Sequence, residues 1–121
     1  MIQLLRRSNR YTQKSALAAQ KSISLVYAHN DPGAHGAYLA AKAAGREKEI
    51  RFVGIDALPH EGVRYVKDGL LDATFAYPTG GAEAVDWAGR ILAGEAAPKR
   101  ITLGTRRFTR ENVANGGEPI P

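Results

Sequence analysis

The sequence has no cysteine, which removes disulfides, thiolate metal sites and a cysteine nucleophile together. No apolar run approaches the roughly 18 residues that a membrane span needs. Neither G-x-G-x-x-G nor G-x-x-x-x-G-K-S/T follows a strand-like segment, so no cofactor fingerprint is present and nucleotide binding has little support. His35 and His60 are too far apart and too differently placed to suggest a metal site. Acids are missing from residues 1–22, where Arg6, Arg7, Arg10, Lys14 and Lys21 stand unopposed. That stretch is a poor signal peptide, because its apolar part is only Ala16-Leu17-Ala18-Ala19.

What is present is 121 residues, enough for one domain, with an ordinary globular balance of 44% hydrophobic and 24% charged residues. The net charge of +5 at first invites a nucleic-acid partner. The charge is uneven, however. Residues 23–98 carry seven bases and ten acids, and residues 99–121 carry five bases and two acids. The centre is slightly acidic and the ends are basic, so no nucleic acid is expected as a partner.

Residues 1–22 have no sustained period and read as a basic, disordered leader. From Ile23 the chain changes character. Ile23 to Ala28 is a short apolar run suited to a buried parallel strand. Asn30-Asp31-Pro32 then starts a helix, with Asp31 at the N-cap and Pro32 in the first turn. Ala34, Ala37, Tyr38, Ala41 and Ala44 follow at helical spacing up to Gly45. Ile50 to Ile55 is a second strand, about His60 to Lys67 a short helix, and Leu70 to Tyr77 a third strand. Ala84, Trp87, Ala88, Ile91 and Leu92 form a further helical stripe, with Trp87 read as core. Ile101 to Thr105 is a weaker strand and Thr109 to Ala114 a short helix; the tail from Gly116 reads as unstructured. This alternation predicts an α/β fold with a parallel sheet and flanking helices.

Ligands of such sheets sit outside the carboxyl ends of the strands. That rule selects His29-Asn30-Asp31, Asp56 and Tyr77-Pro78. An amide, a carboxylate and an aromatic ring suit a sugar: the first two engage adjacent hydroxyls, and the ring covers the C–H face. The bland readings are a turn role for Asn30, a helix cap for Asp31 or Asp56, and edge packing for Tyr77. No strand end pairs a nucleophile with a base, so an enzyme is not expected.

Val26-Tyr27-Ala28-His29-Asn30-Asp31, Gly36-Ala37, Ala43-Ala44-Gly45, Val53-Gly54-Ile55-Asp56-Ala57, Asp68-Gly69-Leu70-Leu71-Asp72-Ala73-Thr74 and Leu92-Ala93-Gly94-Glu95 run in a characteristic order. Over about Ile23 to Val113 the chain resembles the C-terminal portion of a ribose-binding-like (type I) periplasmic sugar-binding protein, the receptor of an ABC importer. The resemblance implies a partial lobe of a two-lobed receptor that closes on a monosaccharide. It implies sugar contacts from Asn30, Asp56 and Tyr77, with Ile55 where some relatives have a larger apolar residue. It implies periplasmic localisation and an importer permease as partner. It divides the chain into a leader (1–22), the α/β part of the lobe (23–78), and a post-hinge helix, weak strand and tail (79–121). The stripe Ala84, Trp87, Ala88, Ile91, Leu92 would then lack its usual cover and offer a self-association surface. Two other readings are a non-functional gene fragment and the effector-binding domain of a lac-repressor-like regulator. The latter would need a helix-turn-helix, for which residues 1–22 are too short.

Overall fold

The computed structural model describes residues 2–5 and 10–120. In chain order the elements are β1 (Ile2–Leu5), α1 (Arg10–Ala19), β2 (Leu25–Ala28), α2 (Asp31–Ala43), β3 (Arg51–Asp56), α3 (Gly62–Lys67), β4 (Ala73–Ala76), α4 (Gly81–Leu92), β5 (Thr105–Thr109), a 3-10 turn at Val113–Asn115, and β6 (Glu118–Ile120). They form one six-stranded sheet in the order β1-β2-β3-β4-β5-β6. The first four strands are parallel, as expected for strand–helix alternation. The last two are antiparallel, which makes the sheet mixed.

Each crossover among β1–β4 steps one place in the same direction. Right-handed crossovers of that kind put α1, α2 and α3 on one face of the sheet. The burial pattern agrees. Val26 and Ala28 of β2 and Phe52 and Gly54 of β3 are buried, whereas the alternate residues Tyr27, Val53 and Ile55 are half-buried. Small side chains let α2 lie close: Ala34, Ala37, Ala40 and Ala41 are all buried on its inner face. Ile23, Ile50, Val66 and Leu71 complete the core, with Leu17, Tyr38, Tyr65 and Val113 packed around it. Tyr38 meets Phe52 edge-on at 5.6 Å between centroids.

Several expectations are corrected. The stretch 1–22 is not a disordered leader where it is described: β1 pairs with β2, and α1 packs on α2. A long-range contact supplies what α1's weak pattern lacks. The Arg46 guanidinium donates to the carbonyls of Leu17 (2.7 Å), Gln20 (3.0 Å) and Lys21 (3.2 Å), satisfying acceptors at the end of α1. Its Nε pairs with Glu49. The last strand of the expected set lies at Thr105–Thr109, not Ile101–Thr105, because it is defined by pairing with β4, Phe108 opposite Thr74. The expected helix over Thr109–Ala114 is a turn ending in the 3-10 segment. The tail is not unstructured: Glu118–Ile120 pairs with β5, and Pro119 is tolerated there on an edge strand.

Trp87 is not core. No residue of α4 is buried. Val85, Ile91 and Leu92 are exposed, and Trp87 is half-covered by its own neighbour Arg90, whose guanidinium sits 3.9 Å from the ring centroid.

Candidate functional site

Adjacent strands β2, β3 and β4 end side by side, and their carboxyl ends carry the residues singled out above. Asn30 follows β2 by one residue, Asp56 is the last residue of β3, and Tyr77 directly follows β4. The register pairs Asp56 with Ala76, the residue before Tyr77. The three therefore stand along one end of the sheet. Tyr77 is 69% exposed, as a ring offered for stacking must be. Asp56 is half-buried. Ile55 points to the face opposite α2 and α3 and is half-buried.

The roles of Asn30 and Asp31 are exchanged relative to the expected cap. Asn30 is the N-cap of α2: its Oδ1 accepts from the Gly33 amide at 2.8 Å. Its carbonyl oxygen is thus committed, and its Nδ2 hydrogens are what it can give a ligand. Asp31 turns inward and is fully buried. Its Oδ1 accepts from Thr74 Oγ1 at 2.6 Å, and its Oδ2 accepts from the Ala57 amide at 2.8 Å. Burial raises its pKa from the usual 3.8 to about 6, against the lowering effect of those two hydrogen bonds; the nearby negative charges of Asp56 and Glu61 add to the rise.

Two glycines make room for this carboxylate. A Cβ on Gly54 would lie 3.1 Å from the Asp31 Cα and closer still to its carboxylate. A Cβ on Gly62 would fall on the carboxylate itself. From the sequence, Asp31 reads only as a helix cap, and Thr74, Gly54 and Gly62 are given no role at the site. The sequence signal that could have found them is a second acid beside the capping Asn, with glycines inside β3 and at the start of α3.

The turn after β3 is strained. Asp56 has φ 108° and Ala57 φ 52°, the two non-glycine residues with positive φ among those described. Such conformations cost of order 1–3 kcal/mol each and concentrate at functional sites.

Elsewhere, a cavity of about 370 Å³ opens at the amino ends of the strands, with Arg51, Asp72 and Arg110 in its wall. Asp72 already holds Arg51 (2.8 Å), Arg110 (3.4 Å) and the Phe52 amide (2.8 Å), so it serves as a structural tie. Among the described residues there is no cluster of three or more His, Cys, Asp or Glu able to hold a metal, and no helix long and apolar enough to cross a membrane.

No family model matches the sequence. The ribose import binding protein of Haemophilus influenzae is 36% identical over 92 residues, which cover 74% of this chain and 30% of that protein. Among solved structures, the fructose-binding periplasmic domain of a hybrid two-component system is 46% identical, with a TM-score of 0.83 over 88% of this chain and 36% of its own. The periplasmic binding protein of the arabinose ABC transporter from Shewanella sp. ANA-3 is 30% identical, with a TM-score of 0.79 over 88% of this chain and 37% of its own. The chain thus spans about a third of the length of the relatives it matches.

Proposed function

We infer that this chain, similar over most of its length to part of the periplasmic sugar-binding receptors of ABC importers and sharing a partial lobe of their fold, is part of a sugar-binding component of such an import system. The observation that carries the reading is the alignment of Asn30, Asp56 and Tyr77 along the carboxyl ends of three adjacent strands. Asn30 donates through Nδ2 to a ring hydroxyl. The Asp56 carboxylate accepts from a pair of hydroxyls, Tyr77 covers the ring's C–H face, and Ile55 lies beside Asp56. The action is binding and not catalysis. The place is the periplasm, by analogy with the relatives, and the partner is an importer permease.

Receptors of this kind derive their affinity from closing two lobes over the ligand, and these 121 residues supply the strand ends of one wall. Titration with ribose, fructose, arabinose and myo-inositol, followed by heteronuclear NMR, should give Kd values of ~1 mM or weaker, about −4 kcal/mol. The shifts should centre on Asn30, Asp56 and Tyr77. Submicromolar affinity for any of these sugars would overturn the incomplete-site reading. No shift at the strand ends at any concentration would overturn the sugar reading itself.

The unpartnered face of α4 supports self-association as a second property. Val85, Ile91 and Leu92 are exposed on it, and a two-fold axis across the helix would bury them against those of a copy. Sedimentation equilibrium should show a dimer that Leu92→Glu together with Ile91→Glu disperses. A monomer at millimolar concentration would refute it.

A sensory role is the alternative that one observation favours. The 46% identity is to a sugar-binding domain of a signalling protein, higher than that to the importer receptors named above.

A further inference from the structure

Asp31 and Thr74 are the buried polar or charged side chains among the described residues. A carboxylate in that position needs partners, and it draws them from two other elements. Thr74 of β4 satisfies one oxygen. The second oxygen grips the backbone amide of Ala57, the residue immediately after Asp56. A turn that keeps two consecutive non-glycine residues at positive φ persists only when its surroundings fix it. The Asp31–Ala57 hydrogen bond is the fixed point within that turn.

We propose that Asp31 is a positioning residue for Asp56, holding the turn between β3 and α3 in its strained shape through the Ala57 amide, and that protonation of Asp31 loosens this grip and so makes the presentation of Asp56 depend on pH. The chemistry balances simply. Ionised, Asp31 accepts two hydrogen bonds, both charge-assisted and therefore short and strong. Protonated, it is a weaker acceptor toward Ala57, and its new proton is directed at Thr74 Oγ1, whose own hydroxyl then stops donating to it. The functional consequence rests on the reading of Asp56 as a sugar-binding carboxylate; the coupling of Asp31 to Ala57 does not.

The charged surroundings favour a proton change within ordinary buffers. The turn after β3 presents Asp56, and Glu61 precedes α3; both repel a negative Asp31. β4 contributes the neutral Thr74, while β3 at Gly54 and α3 at Gly62 contribute no side chain. On α2 itself the next titratable group is His35, one turn on, stacked on Tyr65 at 4.2 Å. Burial depresses the His35 pKa, so it loses its proton below the usual histidine range.

The test is a pH titration of the isotopically labelled chain by NMR, with no sugar present. The wild-type Ala57 amide proton should move upfield as pH falls through about 6, in step with the Asp31 carboxyl carbon. In Asp31→Asn that movement should vanish. In Asp56→Asn it should persist with a lower midpoint, because one repelling charge is gone. An Ala57 amide that stays flat in the wild type, which requires no variant to fold, overturns the proposal. So does an Ala57 titration unchanged in Asp31→Asn, which would assign it to another group. Because no sugar enters the experiment, failure of the sugar reading leaves its outcome intact, and failure here leaves the sugar reading intact.

Discussion

Gly62→Ala should cost this chain ~3 kcal/mol or more and lower its thermal midpoint by ~10 °C. On helix propensity alone the change should help, since alanine is worth about 1 kcal/mol more than glycine inside a helix. The added methyl, however, falls where the Asp31 carboxylate already is. Gly62 is itself buried at the start of α3, so the methyl cannot swing outward. Either α3 backs away from α2, or the carboxylate is pushed off Thr74 and Ala57. Overpacking typically costs 1–3 kcal/mol, and each hydrogen bond to a charged group is worth about 1.5–3 kcal/mol. The effect is specific to the pair. In an Asp31→Ala background the same methyl has space and keeps its propensity gain, so a double-mutant cycle should give a coupling of ~2 kcal/mol or more. Denaturant unfolding of the four proteins measures it. A Gly62→Ala cost under ~1 kcal/mol, or strict additivity with Asp31→Ala, would show that the carboxylate does not occupy that space.

The stability difference between the wild type and Asp31→Asn should fall by up to ~3 kcal/mol as pH rises from 4 to 7.5. The folded carboxyl is raised to about 6 from an ordinary value of 3.8. A raised carboxyl favours the protonated form in the folded state. Its stabilising contribution is therefore fully present below 3.8 and is lost as pH rises through about 6. His35 acts the other way in the same range: its lowered pKa favours folding above its unfolded value near 6.5, a contribution lost on acidification. Taking the difference from Asp31→Asn cancels His35. Thr74→Val removes a donor that stabilises the charged form, so it should move the Asp31 transition upward from 6. A flat difference curve, or one that rises with pH, would refute the assignment.

The parts of the fold that were legible are those set by local pattern. The runs around β2, β3 and β4, the alanine spacing of α2 and the stripe of α4 each carry their own period. The strand-end rule then places Asn30, Asp56 and Tyr77 without any long-range knowledge. What was not legible depends on contacts distant in sequence. Asn30 and Asp31 are both good capping residues before Pro32, and only Thr74, 43 residues away, together with the space at Gly54 and Gly62, decides which of them turns inward. α1 has little pattern of its own and owes its anchored end to Arg46, 29 residues beyond Leu17. β5 and β6 are set by pairing, so their bounds follow β4 and not the residue types around Ile101 or Gly116.

The one-way winding of β1 to β4 has a consequence for where a ligand crevice can form. In open α/β sheets the ligand crevice lies where strand order reverses, since helices then leave on opposite faces and open a gap between them. Within the described strands the order never reverses. Among the described residues, then, the gap between helices that such a crevice needs is not formed at Asn30, Asp56 and Tyr77, and a sugar held there as proposed would take its second wall from outside these strands.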